Sequence, residues 1–201
     1  MDSGILGAAL EREHREIDQG IEAFTSGRAE GDGQVESLTR AMQALRRHIY
    51  LEEELLFPSM SSALAIPMSV MLREHGEIWR TLDALEGQLG EGGVTASLLE
   101  DCSQLVSQLD AHNSKEEPIF YTQADASLAT SESAHLRSFL DSGRMSDGWR
   151  CQEARRREGR LVRAGRPVGL AGARGVVACA GHGHSNRRRR LWLTAAVTDA
   201  R

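Results

Sequence analysis

Residues 35–58 read VESLTRAMQALRRHIYLEEELLFP. Apolar residues recur at Val35, Leu38, Met42, Leu45, Ile49 and Leu56, the three-and-four spacing of one face of an α-helix. No strand-like alternation interrupts the pattern, and Pro58 stops it. The spacing predicts a helix from about Asp32 to Phe57. Two polar residues, His48 and Glu52, fall on its apolar stripe between Leu45 and Leu56. Four positions apart, they lie on one face about one turn from each other and point together into whatever the stripe buries. An imidazole and a carboxylate in such a place are costly unless they are paired or bind metal.

Three further segments carry the same period. The first, about Ser3 to Gly27, aligns Leu6, Leu10, Ile17, Ile21 and Phe24, with Ser3 as N-cap and Gly27 as the stop. The third, about Pro67 to Gly90, opens on a first-turn proline and aligns Met68, Met71, Ile78, Leu82, Leu85 and Leu89. The fourth begins near Ser97-Leu98-Leu99-Glu100, a capping-box pattern, and aligns Leu98, Cys102, Leu105, Leu109 and Ile119. A short fifth helix, Ser131 to Leu140, is expected to pack across one end. Short connections make neighbouring helices antiparallel. The expectation is an all-α, up-down-up-down four-helix bundle.

Each stripe is interrupted by a histidine. His14 falls between Leu10 and Ile17, His75 between Met71 and Ile78, and His112, followed by Glu116, comes after Leu109. His14 lies 13 residues before Gly27 and His48 lies 16 after Asp32; His75 lies 15 before Gly90 and His112 lies 15 after Ser97. At about 1.5 Å per residue the four histidines share one level of the bundle to within about one turn. A single core histidine is ordinarily a satisfied polar residue. Four at one level with two carboxylates point instead to metal. With no cysteine nearby, the donors suit iron, manganese or zinc. Two carboxylates can each bridge a pair of ions, which a lone zinc site does not require.

The set His14, His48-x-x-x-Glu52, His75, His112-x-x-x-Glu116 resembles the haemerythrin-like (HHE cation-binding) family. The local strings agree, notably His48-Ile-Tyr-Leu-Glu52-Glu-Glu-Leu-Leu-Phe-Pro58 and Glu74-His75. The likeness covers about residues 5–125, with a family-like end near Asp147-Gly148-Trp149. It implies a non-haem di-iron centre (Fe2+/Fe3+, oxo- or hydroxo-bridged) with the four histidines as terminal ligands and Glu52 and Glu116 as bridges. Oxygen-carrying haemerythrins have a second histidine four residues after the one on the third helix; here that residue is Trp79, expected as a core plug. Its absence leaves one more coordination position open, which favours chemistry on dioxygen or peroxide, such as catalase-like peroxide detoxification, over simple carriage. Tyr50, Tyr121, Glu53 or Glu117 swinging in as a ligand would fill that position; for Tyr50, Glu53 and Glu117 a solvated face is the expectation. The alternative function is a non-enzymatic sensor or store for oxygen, iron or nitric oxide, and a third is a metal-free structural bundle.

The formal net charge of −5 over 201 residues is a sum over unlike parts. Residues 1–142 hold 25 acids against 10 bases, a net −15, and residues 143–201 hold 4 acids against 14 bases, a net +10. The division at 142 separates residues 1–142, which the resemblance makes a haemerythrin-like bundle, from residues 143–201, expected as a disordered, low-complexity Arg/Gly-rich tail. Arg155–Arg157 and Arg187–Arg190 make that tail the one part suited to nucleic acid or another polyanion, although it lacks a recognisable binding fold and, apart from Trp192, interleaved aromatics. His182 and His184 form a weak metal pattern, and His135 reads as surface. Cys102 reads as a core residue, while the spacing of Cys151 and Cys179 supports no pairing. No apolar run reaches the roughly 18–20 residues of a spanning helix. The N-terminus has no basic n-region, so the expected location is cytoplasmic.

Overall fold

The four apolar stripes form α1 (Ile5–Thr25), α2 (Asp32–Leu51), α3 (Ala65–Gly92) and α4 (Ala96–Glu116). The structure is a computed structural model that describes residues 4–27, 32–92 and 94–164. Side-chain bonds between helices fix their directions. Between α1 and α2, Gln34 donates to the Phe24 carbonyl at 2.7 Å and Glu13 meets His48 at 2.8 Å, so one chain number falls as the other rises. Between α3 and α4, Gln88 donates to Asp101 at 2.6 Å, and Lys115 donates to Glu74 at 2.5 Å. Arg46 with Glu86, and Glu53 with His75, give the same sense for the second and third helices. The bundle is up-down-up-down, as the short connections predict.

Termini are satisfied partly from a distance. The first turn of α1 receives its cap from Asp125, whose carboxylate accepts from the Leu6 N–H at 3.0 Å and the Gly7 N–H at 3.5 Å. Ser3, the expected cap, lies outside the described residues. Gly27 does end the first segment, with φ of 63°. α4 starts one residue before Ser97: the side chain of Thr95 accepts from the Leu98 N–H at 3.1 Å, so the cap is Thr95 and not Ser97.

The second helix does not stay α-helical to Phe57. It changes at Leu51 into a π turn, Glu52–Leu56, and then a 3-10 turn, Phe57–Ser59, that contains Pro58. α4 passes likewise into a π turn, Glu117–Tyr121, before α5 (Thr122–Ser127). α6 (Thr130–Ser142) is the expected short helix, and it buries Leu136 and Phe139 at the end of the bundle that holds Leu6, Leu10 and Phe57. Arg47 clamps its C-terminus by donating to the carbonyls of Phe139, Leu140 and Gly143. His135 is exposed and Cys102 is buried, both as expected.

Packed chain extends past residue 142, where the charge pattern places the start of the tail. α7 (Gln152–Ala164) lies on α3, with Cys151 and Ala154 buried in the core. A Cβ at Gly76 would stand 2.5 Å from Cβ of Glu153, so only glycine permits this approach. Trp149 meets Trp79 edge-on at 5.5 Å and Tyr50 at 5.1 Å. The few anchoring apolar residues are hidden in the sequence by the arginines around them; Arg155 and Arg156 pair with Glu54 and Glu153. Cys179, His182, His184, Arg187–Arg190 and Trp192 lie outside the described residues.

The core divides into two apolar clusters. One contains Ile17, Ile21, Phe24, Leu38, Leu45, Ile78, Leu82 and Leu105, the other Leu6, Leu10, Leu51, Leu56, Met71 and Phe120. The four stripe histidines and the two stripe glutamates occupy the layer between them.

Candidate metal centre

All six expected residues are buried and meet in this layer. They form two groups, His14, His48, Glu52 and Glu116, and Glu52, His75, His112 and Glu116. In each group every residue offers one ligand atom, and these atoms lie within 4.8 Å of one another. Glu52 and Glu116 belong to both. Their placement has a simple origin: each is one turn beyond a histidine on the same helix face, and each stands where its helix turns from α to π.

A second ring of carboxylates surrounds the imidazoles. Glu13 of α1 meets Nδ1 of His48 on α2 at 2.8 Å. Glu53, just past α2, meets Nδ1 of His75 on α3 at 3.0 Å, and Glu74 of α3 meets Nδ1 of His112 on α4 at 3.0 Å. Glu117, just past α4, meets Nδ1 of His14 on α1 at 3.0 Å and closes the circle. Each helix thus orients the histidine of the next. Ionised carboxylates only accept, so Nδ1 carries the proton in all four rings and Nε2 faces the centre.

This corrects the expectation of a solvated face for Glu53, whose side chain is 3% exposed; that of Glu117 is 36% exposed, and both carboxylates hold stripe histidines. The second-ring acids have a sequence signal, since each sits beside a stripe residue: Glu13-His14, Glu52-Glu53, Glu74-His75 and Glu116-Glu117. Tyr50 stays out of the centre, packed on Phe139 and Trp149 with its hydroxyl 3.4 Å from Ser146. Trp79 is buried, as expected of a plug, and lies beneath Arg46. Tyr121 is inside: its hydroxyl touches His14, His48, Glu52 and Glu116.

The centre fits a cation. Nε2 of His75 and Oε2 of Glu52 are 3.3 Å apart, yet among the described residues neither has a hydrogen-bond partner, and Oε1 of Glu116 has none either. Buried donors and acceptors are rarely left in that state. Without a cation, protons must supply the positive charge. Burial opposes charge on His48, but Glu52 and Glu13 more than reverse this and raise it well above the usual imidazole range. Burial also opposes charge on Glu52, and His48 and His75 overcome it, holding the carboxyl well below its ordinary value. Burial would lower His112; Glu116 and Glu74 push it up to about 10. Burial, with the Glu116 and Glu52 carboxylates, pushes the Tyr121 phenol well above its usual value. A divalent ion would replace the imidazolium protons in this balance.

The family model for the Hemerythrin HHE cation binding domain matches residues 6–124. The chain belongs to this family, and its buried His/Glu cluster has the composition of a metal site. No curated protein and no solved structure is significantly similar to the chain. Among the described residues, no helix is long and apolar enough to cross a membrane.

Proposed function

We propose that His14, His48, His75 and His112 are terminal ligands, and Glu52 and Glu116 bridging ligands, of two iron ions, and that the protein binds or turns over dioxygen or peroxide. The observation that carries this reading is the pair of buried ligand sets that share both glutamates. An iron pair supplies redox change and open coordination for small oxygen ligands. The chain supplies the rest. Glu13, Glu53, Glu74 and Glu117 hold the four imidazoles in one tautomer and raise their basicity. The two apolar clusters keep bulk water from the layer. A cavity of about 290 Å³ lined by Glu53, Phe57, Met68, Leu72 and Arg155 lies beside the ring that covers His75, and we assign it as the approach for a small ligand. Trp79, one turn beyond His75, leaves a position open at the ion held by His75 and His112; this favours turnover over carriage, and catalase-like peroxide removal is the reaction we favour.

Metal analysis with an optical spectrum of the protein as isolated tests this directly. Two irons per chain and a charge-transfer absorption that changes on adding peroxide, with oxygen released, are expected. Zinc or manganese in the ligands would overturn the iron assignment. If His48→Ala left metal content and melting temperature both unchanged, the bundle would be structural. Reversible binding of dioxygen or nitric oxide without turnover would make it a sensor or store.

A further inference from the structure

One side chain outside both ligand sets distinguishes their surroundings. The Tyr121 hydroxyl oxygen lies 2.9 Å from Nε2 of His14, 2.9 Å from Nε2 of His48, 2.5 Å from Oε1 of Glu52 and 3.3 Å from Oε2 of Glu116. It therefore touches every member of the first set. No hydroxyl meets the histidines of the second set in this way among the described residues, and there Nε2 of His75 and Oε2 of Glu52 lack hydrogen-bond partners.

The chain contains its own control. His48-x-x-x-Glu52 is followed five residues on by Phe57, and His112-x-x-x-Glu116 five residues on by Tyr121. In both cases a π turn follows the α-helix at the glutamate and sets the direction of the ring. Phe57 lies stacked on His75 with centroids 5.7 Å apart, and Tyr121 lies against His14 at 5.2 Å. The two rings hold corresponding places at the two subsites, and only one carries an oxygen.

That oxygen sits among four metal-ligating atoms. Nδ1 of His14 and of His48 each face a carboxylate, so once the rings are neutral both Nε2 atoms turn lone pairs inward beside the phenol oxygen. Glu52 and Glu116 also accept only. The one phenolic proton goes to Glu52 in the short bond between them. A cation among these groups would satisfy all of them, with the phenol oxygen as a further donor atom.

Resting on the proposed iron pair, we infer that Tyr121 is a ligand of the ion held by His14 and His48, its phenolic proton passing to solvent when the ion binds. The second ion, beside Phe57, has no counterpart, so the two ends of the centre are chemically unequal. The ferric protein should show a visible tyrosinate-to-iron(III) charge-transfer band, and resonance Raman excited in that band should enhance tyrosinate ring modes. Tyr121→Phe should abolish both while retaining two irons. An iron-loaded native protein without tyrosinate modes overturns the inference and leaves the iron pair standing; so does an unchanged band in Tyr121→Phe. A native chain that takes up no iron overturns both. The Raman result on native protein does not depend on how the variant folds.

Discussion

Glu13 and His48 meet across α1 and α2, with Oε2 2.8 Å from Nδ1, while Arg47 donates to the other oxygen of the same carboxylate at 2.6 Å. The arginine beside His48 in sequence thus fixes the acid that fixes the imidazole. Glu13→Ala should weaken metal binding about 10- to 100-fold, the usual effect of losing an outer-shell partner. Competition with a chelator measures it. Glu13→Gln, which keeps an acceptor, should fall between; an affinity within about twofold of native in Glu13→Ala would show that the contact does not act on the ligand.

The metal-free protein should be most stable over a narrow pH range. The hydrogen bond from His112, against burial and with help from Lys115, lowers Glu74 to about 2. A lowered carboxyl contributes fully above its ordinary value of 4.5, and the contribution is lost as pH falls toward 2. His112, raised to about 10, contributes fully below 6.5, and its share is lost as pH rises toward 10. Melting temperature of the metal-free chain should therefore decline on both sides of pH 4.5–6.5. Glu74→Gln should flatten the acid limb. Metal uptake should release protons, and affinity should rise with pH through the range in which the imidazoles lose theirs.

Gly76→Ala tests the seat of α7. Alanine is favoured over glycine in a helix interior by about 0.5–1 kcal/mol. Here its Cβ would meet Glu153 Cβ at 2.5 Å, and overpacking of this kind costs about 1–3 kcal/mol. The clash should win by about 1 kcal/mol, lowering the melting temperature and exposing residues 143–164 to protease. Glu153→Gly in the same chain should restore both; an undiminished melting temperature in Gly76→Ala would mean that α7 does not press on α3.

Asp125→Ala should cost about 0.5–2 kcal/mol, the range for a lost helix cap, although this cap comes from a residue 119 positions along the chain. Amide exchange should accelerate at Leu6 and Gly7, whose N–H groups lose their acceptor. Asp125→Asn should retain most of the stability. If exchange at both amides stayed slow, the cap would have another source.

Much of the site was legible because the α-helical period assigns faces. His14, His48, His75 and His112 lie on apolar stripes at countable distances from Gly27, Asp32, Gly90 and Ser97, and Glu52 and Glu116 follow at one turn. The period stops being a guide at those two glutamates. Continued past Glu116 it points Phe120 to the centre, whereas the π turn brings in Tyr121. The acids of the outer ring were hidden for another reason: Glu13 serves His48 and Glu74 serves His112, so their partners lie on the next helix and have no fixed spacing in sequence. α7 was missed because its buried face rests on Trp149, Cys151 and Ala154, and the charge balance there is dominated by arginines that lie outside that face.

His14 and His48 come from the hairpin of α1 and α2, His75 and His112 from that of α3 and α4, while each hairpin contributes one of the two shared glutamates. Neither half of the molecule contains a complete set. The proposed ions would therefore rivet one hairpin to the other, and opening the bundle between its halves would be the same event as letting them go. Maturation has an order too. A chain emerging from its N-terminus can finish its first hairpin, but it cannot capture an ion with a full set until residue 116 has folded into place.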